Sequence, residues 1–329
     1  MPELAVKFLE IRDLSVTYAS REGVVRALDG IDLEIGKGEV LGILGESGCG
    51  KSTLAKALLS LFPTNAHCAG EISFRGCDLL KLREAELCAV RGREISLISQ
   101  DPALSLNPVM AVGTQIAEVL RAHLELSGKE RRERVEELLQ EVGFDRPAEI
   151  YRAYPHQLSG GQRQRAVIAQ AIACRPALII ADEATSKLDA ALRAEIIQLL
   201  SRIRLEHGTA IVAITHDPAM LPDFADRIAV MYAGKIVETG NCGEILRRPL
   251  HPYTEALVRL ANPAASDGAP GGKKRFAVIE GELPDLGVAA AGCRFEPRCA
   301  DRLQRCAQNI PRQLRPEPAR SVSCFKYGE

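Results

Sequence analysis

The chain has 329 residues, of which 46% are hydrophobic and 26% charged, and its formal net charge at pH 7 is -1. This length suits about two domains, and the near-neutral charge offers no electrostatic basis for binding nucleic acid. No apolar stretch reaches the ~18 residues needed to span a bilayer, and no basic segment followed by an apolar core opens the chain. We therefore expect an intracellular protein and no nucleic-acid partner.

Residues 1–261 alternate apolar runs with helical patterns, which is typical of an α/β domain with a mostly parallel sheet. Three of the apolar runs end in polar residues. The residues that follow them are Gly45, Asp182 with Glu183, and His216. Because ligands collect beyond the carboxyl ends of parallel strands, we expect these three ends to converge on one site.

The remaining segments are assigned by composition. Residues 113–143 predict two helices, the second with a solvated, charged face, and residues 232–237 predict a hairpin. Residues 262–275 hold Pro and Gly with little apolar content and predict a linker. Residues 276–329 form a short C-terminal extension that contains a cluster of cysteines.

A glycine-rich loop at residues 45–52 matches the pattern G-x-x-x-x-G-K-[ST] between a predicted strand and a predicted helix. Its members are Gly45, Glu46, Ser47, Gly48, Cys49, Gly50, Lys51 and Ser52, and Thr53 follows. Glycines let backbone N–H groups turn towards phosphate oxygens, Lys51 reaches the β and γ phosphates, and the Ser52 hydroxyl can bind magnesium. The loop therefore predicts ATP and Mg²⁺ binding, because the flanking strand and helix disfavour a simple glycine turn.

Four polar residues at strand ends are candidates for the chemistry. Asp182 would hold the magnesium shell, and Glu183 would polarise the attacking water. His216 would sense the γ-phosphate, and the Gln100 side-chain oxygen would complete the magnesium shell. Each has an ordinary alternative, such as a strand-to-turn transition for the carboxylates or a packed histidine. The presence of the phosphate loop in the same chain is what favours the functional interpretation.

A second glycine-containing motif precedes a helix that is predicted at about residues 162–174. Its residues are Ser159, Gly160, Gly161 and Gln162. Such a helix start can bind an anion, although a plain N-cap would give the same string. Because one chain already has a complete phosphate loop, a second anion site suggests ATP held between two chains.

These motifs, in this order, resemble the nucleotide-binding subunit of an ATP-binding cassette (ABC) transporter over residues 5–261. The resemblance implies a RecA-like P-loop NTPase cassette with an antiparallel β subdomain and an α-helical signature subdomain at about residues 101–174. It also implies that adenine stacks on Tyr18 and that two cassettes dimerise head to tail. Each signature, here at residues 159–162, would close over the phosphate loop of the partner chain.

Shorter sequence motifs resemble those of the oligopeptide, dipeptide and nickel importer branch of this family. They occupy residues 100–102, 105–108, 251–254 and 292–299. That branch implies two membrane permease subunits, an external solute-binding protein reached indirectly, and a peripheral position on the cytoplasmic face of the inner membrane. Peptides are the favoured cargo, with nickel or a sugar left open.

The extension carries Cys293, Cys299, Cys306 and Cys324. The spacing C-x5-C-x6-C-x17-C is too open for the paired C-x2-C pattern of most zinc sites, whereas ligation by thiolates alone suits iron–sulfur. In the importer branch a similar element binds a [4Fe-4S] cluster. A [4Fe-4S] cluster is therefore favoured, with zinc or unligated thiols as the alternatives.

One stretch departs from the family. Residues 184–189 read Ala-Thr-Ser-Lys-Leu-Asp where the family usually has Pro-Thr-Ser/Thr-Ala-Leu-Asp. By the resemblance, Lys187 lies where two cassettes should touch. A lysine there would repel a basic surface and would pair with a carboxylate on a non-identical partner, which favours a heterodimer over a homodimer.

Two other classes of protein compete with a transporter. A cassette ATPase of translation or DNA maintenance would need an internal repeat or long coiled coils, and neither is found. An iron–sulfur sensor with a vestigial ATPase would have damaged catalytic residues, whereas Lys51, Asp182, Glu183 and His216 are all present.

Overall fold

The computed structural model describes residues 7–21, 23–261, 279–288 and 290–328, so the predicted linker at 262–275 lies outside the described residues. The strands are β1 Leu9–Ser20, β2 Gly23–Ile35, β3 Val40–Leu44, β4 Ala66–Phe74, β5 Cys77–Asp78, β6 Ile95–Ile98, β7 Leu178–Asp182, β8 Ala210–Thr215, β9 Arg227–Tyr232, β10 Lys235–Asn241, β11 Leu314–Glu317 and β12 Arg320–Val322. The helices are α1 Lys51–Leu58, α2 Glu84–Val90, α3 Pro102–Ser105, α4 Val112–His123, α5 Gly128–Glu141, α6 Pro147–Arg152, α7 Gly160–Ile172, α8 Ala190–His207, α9 Cys242–Arg247 and α10 Pro252–Ala261. Among the described helices, none is long and apolar enough to cross a membrane.

The chain divides into two compact units. The first takes its described residues from 1–35, 40–80 and 215–329, and the second from 36–39 and 81–214. Each unit carries part of the predicted chemistry. The phosphate loop and the four cysteines of the extension belong to the first unit, and Gln100, Glu183 and the glycine pair of α7 belong to the second.

The first unit contains an antiparallel sheet of order β2-β1-β4-β5 and a run of strands in the order β11-β12-β10-β9-β3. Within that run, β3 pairs with β9 in parallel, and the other neighbours are antiparallel. All residues of β3 are buried, as expected for a strand covered on both faces. The apolar run that precedes the phosphate loop is therefore a core strand, as the sequence predicts.

The hairpin predicted at residues 232–237 is confirmed by the antiparallel pair β9 and β10. Its turn residues Ala233 and Gly234 have φ values of 47° and 81°, which is the pattern of a type I′ turn. A Cβ atom on Gly234 would lie 2.8 Å from the carbonyl oxygen of Ala27. Glycine is needed at this position because the backbone of β2 passes so close.

The second unit contains parallel strands in the order β6-β7-β8 with helices α2 to α8. Strand β7 is buried up to Ala181, and β8 is buried throughout. The two helices predicted in residues 113–143 are confirmed as α4 and α5. Helix α5 has a charged exposed face, with Val135, Leu138 and Leu139 as its buried residues.

The C-terminal extension joins the sheet of the first unit, which the sequence does not predict. Strand β12 pairs with β10, so that Glu238 lies opposite Val322 and Thr239 lies opposite Ser321. Strand β11 then forms the edge and contains Pro316. An edge position tolerates proline because no further strand requires its missing N–H donor.

Candidate functional site

The phosphate loop connects β3 to α1, with Gly50 as the N-cap at a φ of 109°. A Cβ atom on Gly45 would lie 2.3 Å from the carbonyl oxygen of Met231, and one on Gly50 would lie 2.5 Å from that of Ala27. Only glycine fits at these two positions. The loop is therefore held tightly against neighbouring backbone, with Ser47 and Gly48 exposed at its tip.

Lys51 is 5% exposed, and its ammonium group lies inside the loop. Its Nζ atom donates to the carbonyl oxygens of Gly45 at 2.8 Å and Glu46 at 2.9 Å. Ser52, the next residue, is exposed in the first turn of α1. A glycine-lined loop with a confined lysine at a helix start is the donor set that a phosphate requires, so the residues present fit ATP.

Tyr18 of β1 lies against the same helix start. Its hydroxyl lies 3.4 Å from Oγ1 of Thr53, so the structure brings the predicted adenine-stacking residue to the phosphate loop. His216, which directly follows β8, is exposed.

In the second unit, the structure brings Gln100 and Glu183 together. The Gln100 side-chain nitrogen donates to Glu183 Oε2 at 2.7 Å. Glu183 adopts a φ of 48°, an uncommon conformation for a residue with a side chain, and its backbone N–H donates to Ile214 at 3.0 Å. Asp182 lies opposite Ile214 in the register of β7 and β8.

The signature residues begin α7, two residues before the predicted start at residue 162, and the helix ends at Ile172 rather than at residue 174. The Ser159 hydroxyl accepts from the Gln162 backbone N–H at 3.3 Å, and the Gln162 side chain accepts from the Ser159 N–H at 2.9 Å. This reciprocal cap is the ordinary alternative to an anion site. A Cβ atom on Gly160 would meet nothing within 4 Å, whereas one on Gly161 would lie 2.9 Å from Leu192.

Lys187 forms an ion pair with Asp101 of its own chain. The hydrogen bond from Lys187 keeps the pKa of Asp101 below its usual value. Because both side chains are partly exposed, such a pair contributes little stability by itself.

The four cysteines of the extension line one cavity, together with His251 and Phe295. Burial raises the pKa of the Cys293 thiol to about 11 and lowers that of His251 to about 3. Within the described part of the chain, the cluster of ligand atoms lying within 4.8 Å of one another consists of Glu141, Glu206 and His207, and not of the cysteines.

The contacts of the phosphate loop with α10 and with the extension are not revealed by the sequence. Arg298 pairs with Glu46, and the Glu46 backbone N–H donates to the Tyr253 hydroxyl at 2.9 Å. Tyr253 and Arg298 lie in the motifs that resemble the importer branch, but 252 residues separate Glu46 from Arg298. No local spacing could indicate this pair.

The chain is similar to known proteins over nearly its whole length. The family model "ABC transporter" matches residues 28–186, and the model "Oligopeptide/dipeptide transporter, C-terminal region" matches residues 237–306. The oligopeptide transport ATP-binding protein AppD of Bacillus subtilis is 40% identical, over 98% of this chain and 97% of its own length. The oligopeptide transport ATP-binding protein OppD of Salmonella typhimurium is also 40% identical, over 99% of this chain and 95% of its own length.

Among solved structures, a dimeric ATP-binding cassette in a post-hydrolysis state bound to ADP and Pi is 31% identical, with a TM-score of 0.64. The match covers 71% of this chain and 98% of that one. The chain therefore belongs to the ABC transporter family, with the fold of a P-loop NTPase cassette. Within that family its place is among the oligopeptide and dipeptide transport ATP-binding proteins, because the similarity extends through the C-terminal region.

Proposed function

We propose that the chain is the ATP-binding and ATP-hydrolysing subunit of an ABC importer for peptides. The observation that carries this proposal is the extent of the similarity, since about 40% identity to oligopeptide transport ATP-binding proteins covers nearly the whole chain. A cassette alone would indicate only an ATPase, whereas the matching C-terminal region indicates the peptide branch. Nickel or a sugar remains the alternative cargo.

ATP would bind at the phosphate loop. The residues we assign to it are Tyr18, Gly45, Glu46, Ser47, Gly48, Cys49, Gly50, Lys51, Ser52, Thr53 and Gln100. Backbone N–H groups of the loop and the Lys51 ammonium would hold the phosphates, and adenine would stack on Tyr18. Ser52, Gln100 and Asp182 would hold a magnesium ion, which supplies positive charge to the β and γ phosphates.

Glu183 is the proposed general base. Its Oε2 atom accepts from Gln100, which orients the carboxylate, and its role is to take a proton from the attacking water. We assign to His216 a contact with the γ-phosphate, and Lys51 stabilises the negative charge that develops there.

We infer that a second cassette chain completes this site with residues equivalent to Ser159, Gly160, Gly161 and Gln162. Gly160 leaves room for a ligand at the start of α7. A non-identical partner is favoured, because by resemblance a homodimer would bring two copies of Lys187 to one interface. The pairing of Lys187 with Asp101 balances this charge within the chain, so a homodimer stays the alternative.

The proposal places the subunit at the cytoplasmic face of the inner membrane, bound peripherally to two membrane permease subunits. An external solute-binding protein would deliver the peptide to those permeases and would contact this chain only indirectly. ATP binding and hydrolysis here would then close and reopen the cassette pair.

Affinity purification of the tagged, full-length chain from its native membranes tests the assembly. We expect two permease subunits and a second, non-identical cassette chain to co-purify, with ATPase activity that rises when peptide and the solute-binding protein are added. Recovery of the chain with only copies of itself as cassettes would contradict the heterodimer. Recovery without any membrane subunit would contradict the transporter.

We further propose that Cys293, Cys299, Cys306 and Cys324 hold a [4Fe-4S] cluster, and the cavity that they share supports it. The four thiols line one cavity, and cluster ligation uses four thiolates. Zinc bound by the same thiolates, or thiols without a metal, is the alternative.

Anaerobic purification tests the cluster. We expect a brown protein with about four iron and four sulfide per chain, and visible absorbance that bleaches on reduction. Cys324→Ser should remove the iron, whereas Cys88→Ser, at an exposed cysteine outside the extension, should retain it. Stoichiometric zinc, or colourless protein without metal, would overturn the assignment.

A further inference from the structure

We propose that Arg298 is a positioning residue for the phosphate loop. The C-terminal extension thereby contributes to nucleotide binding. This inference rests on the proposed function, since it assumes that ATP binds at residues 45–52. It assigns to the extension a role in ATP affinity in addition to any metal that its cysteines hold.

The ion pair between Arg298 and Glu46 is bidentate. Nη1 donates to Glu46 Oε2 at 2.8 Å, and Nη2 donates to Oε1 at 3.0 Å. The arginine side chain is 4% exposed and the glutamate side chain 26%. A bidentate pair of this kind fixes orientation as well as distance and is stronger than a neutral hydrogen bond.

Arg298 is oriented by contacts other than Glu46. Its Nε donates to the carbonyl oxygen of Glu280 at 3.0 Å, and Nη2 also donates to that of Ile279 at 3.1 Å. Its guanidinium lies 5.8 Å from the ring centroid of Tyr232. The guanidinium is therefore ordered by its own surroundings, and little further rotamer freedom is lost in holding Glu46.

The phosphate loop is held at other points as well. The Glu46 N–H donates to Tyr253, and the Cys49 carbonyl oxygen accepts from Gly234 at 2.8 Å. Leu283 of the extension lies 3.9 Å from the position of a Cβ atom on Gly48. Of these contacts, the one from Arg298 is the one that carries a charge.

That charge matters because Glu46 places a carboxylate in a loop that binds an anion. Opposite charge on Arg298 compensates this carboxylate and keeps it turned away from the phosphates, whereas an uncompensated carboxylate would repel them. Removing Arg298 should therefore weaken ATP binding in the ground state and leave the chemical step nearly unchanged. Removing the Glu46 charge as well should recover part of the lost affinity.

The test measures the Kd of a fluorescent ATP analogue on the full-length purified chain, and KM and kcat for ATP on the chain purified with its second cassette and permease subunits. We expect Arg298→Ala to raise Kd and KM about tenfold or more, the loss typical of a charged hydrogen-bonded pair. Arg298→Lys should give Kd and KM values between those of wild type and Arg298→Ala, because lysine restores the charge but not the bidentate geometry. The double variant Glu46→Gln/Arg298→Ala should bind ATP more tightly than Arg298→Ala.

Arg302→Ala is the matched control. Arg302 belongs to the same extension and pairs with Glu296 at 3.8 Å, with its side chain 63% exposed, so its variant should bind ATP like wild type. A thermal midpoint for each variant separates unfolding from lost affinity. A purely structural role for Arg298 predicts that the double variant is no better than Arg298→Ala, and that result would overturn the inference.

Lys51→Ala separates this inference from the proposed function. If Lys51→Ala binds the analogue like wild type, ATP does not bind at this loop and both proposals fail. If Lys51→Ala loses binding while Arg298→Ala behaves like Arg302→Ala, the nucleotide site stands and the role of Arg298 is wrong.

Discussion

Replacing Glu183 by glutamine should lower the ATPase rate by ~10²-fold or more, because a general base contributes about that factor. Glutamine has nearly the same shape and can keep a hydrogen bond with Gln100, which lies 2.7 Å from the carboxylate, but it cannot accept the proton of the attacking water. The affinity for ATP should stay close to that of wild type. Steady-state hydrolysis and equilibrium binding of an ATP analogue measure the two quantities separately.

Glu133→Gln is the matched control for this substitution. Glu133 lies on α5 in the same unit and pairs with Lys129 at 3.8 Å, with both side chains largely exposed. Its variant should hydrolyse ATP at the wild-type rate. Near wild-type hydrolysis by Glu183→Gln would remove Glu183 from its assigned role, and loss of ATP binding in the same variant would point to misfolding instead.

The parts of the site that the sequence predicts are those whose chemistry requires neighbouring residues. A phosphate loop must place glycines, Lys51 and Ser52 within one turn, and the structure shows the strand, loop and helix in that order. The end of β7 follows from the same logic, because an apolar run that stops at Asp182 is a buried strand whose last residue is partly exposed.

Helix boundaries could have been predicted better. Helix α7 begins at Gly160 because Ser159 and Gln162 form a capping box, and the spacing S-x-x-Q in the sequence indicates such a box. The predicted start at residue 162 is therefore two residues late.

The place of the extension could not be predicted, because it depends on contacts distant in sequence. Strand β12 has three residues and β11 contains a proline, so neither shows a strand pattern by itself. Pairing with β10 is what orders them. The contact of Arg298 with Glu46 likewise depends on that packing, which no local motif encodes.

Arg320 should be the most sensitive position for the stability of the extension. Its side chain and that of Glu238 are both 0% exposed, and Nη2 donates to Glu238 at 2.7 Å and to the Arg248 carbonyl oxygen at 2.8 Å. Arg320→Met would leave the Glu238 carboxylate buried without its counter-charge. Breaking a buried pair in this way destabilises a protein by about 3–5 kcal/mol, which should appear as a lower urea midpoint for the full-length chain.

Removing both charges should do less harm than removing one. Glu238 also accepts the N–H groups of Leu250 at 3.0 Å and His251 at 2.9 Å, so Glu238→Gln keeps an acceptor for one of them. We therefore expect Arg320→Met/Glu238→Gln to recover part of the lost stability. Arg315→Met, on the exposed face of β11, should leave the midpoint unchanged. A double variant as unstable as Arg320→Met would show that arginine packing, and not the uncompensated carboxylate, stabilises this part of the sheet.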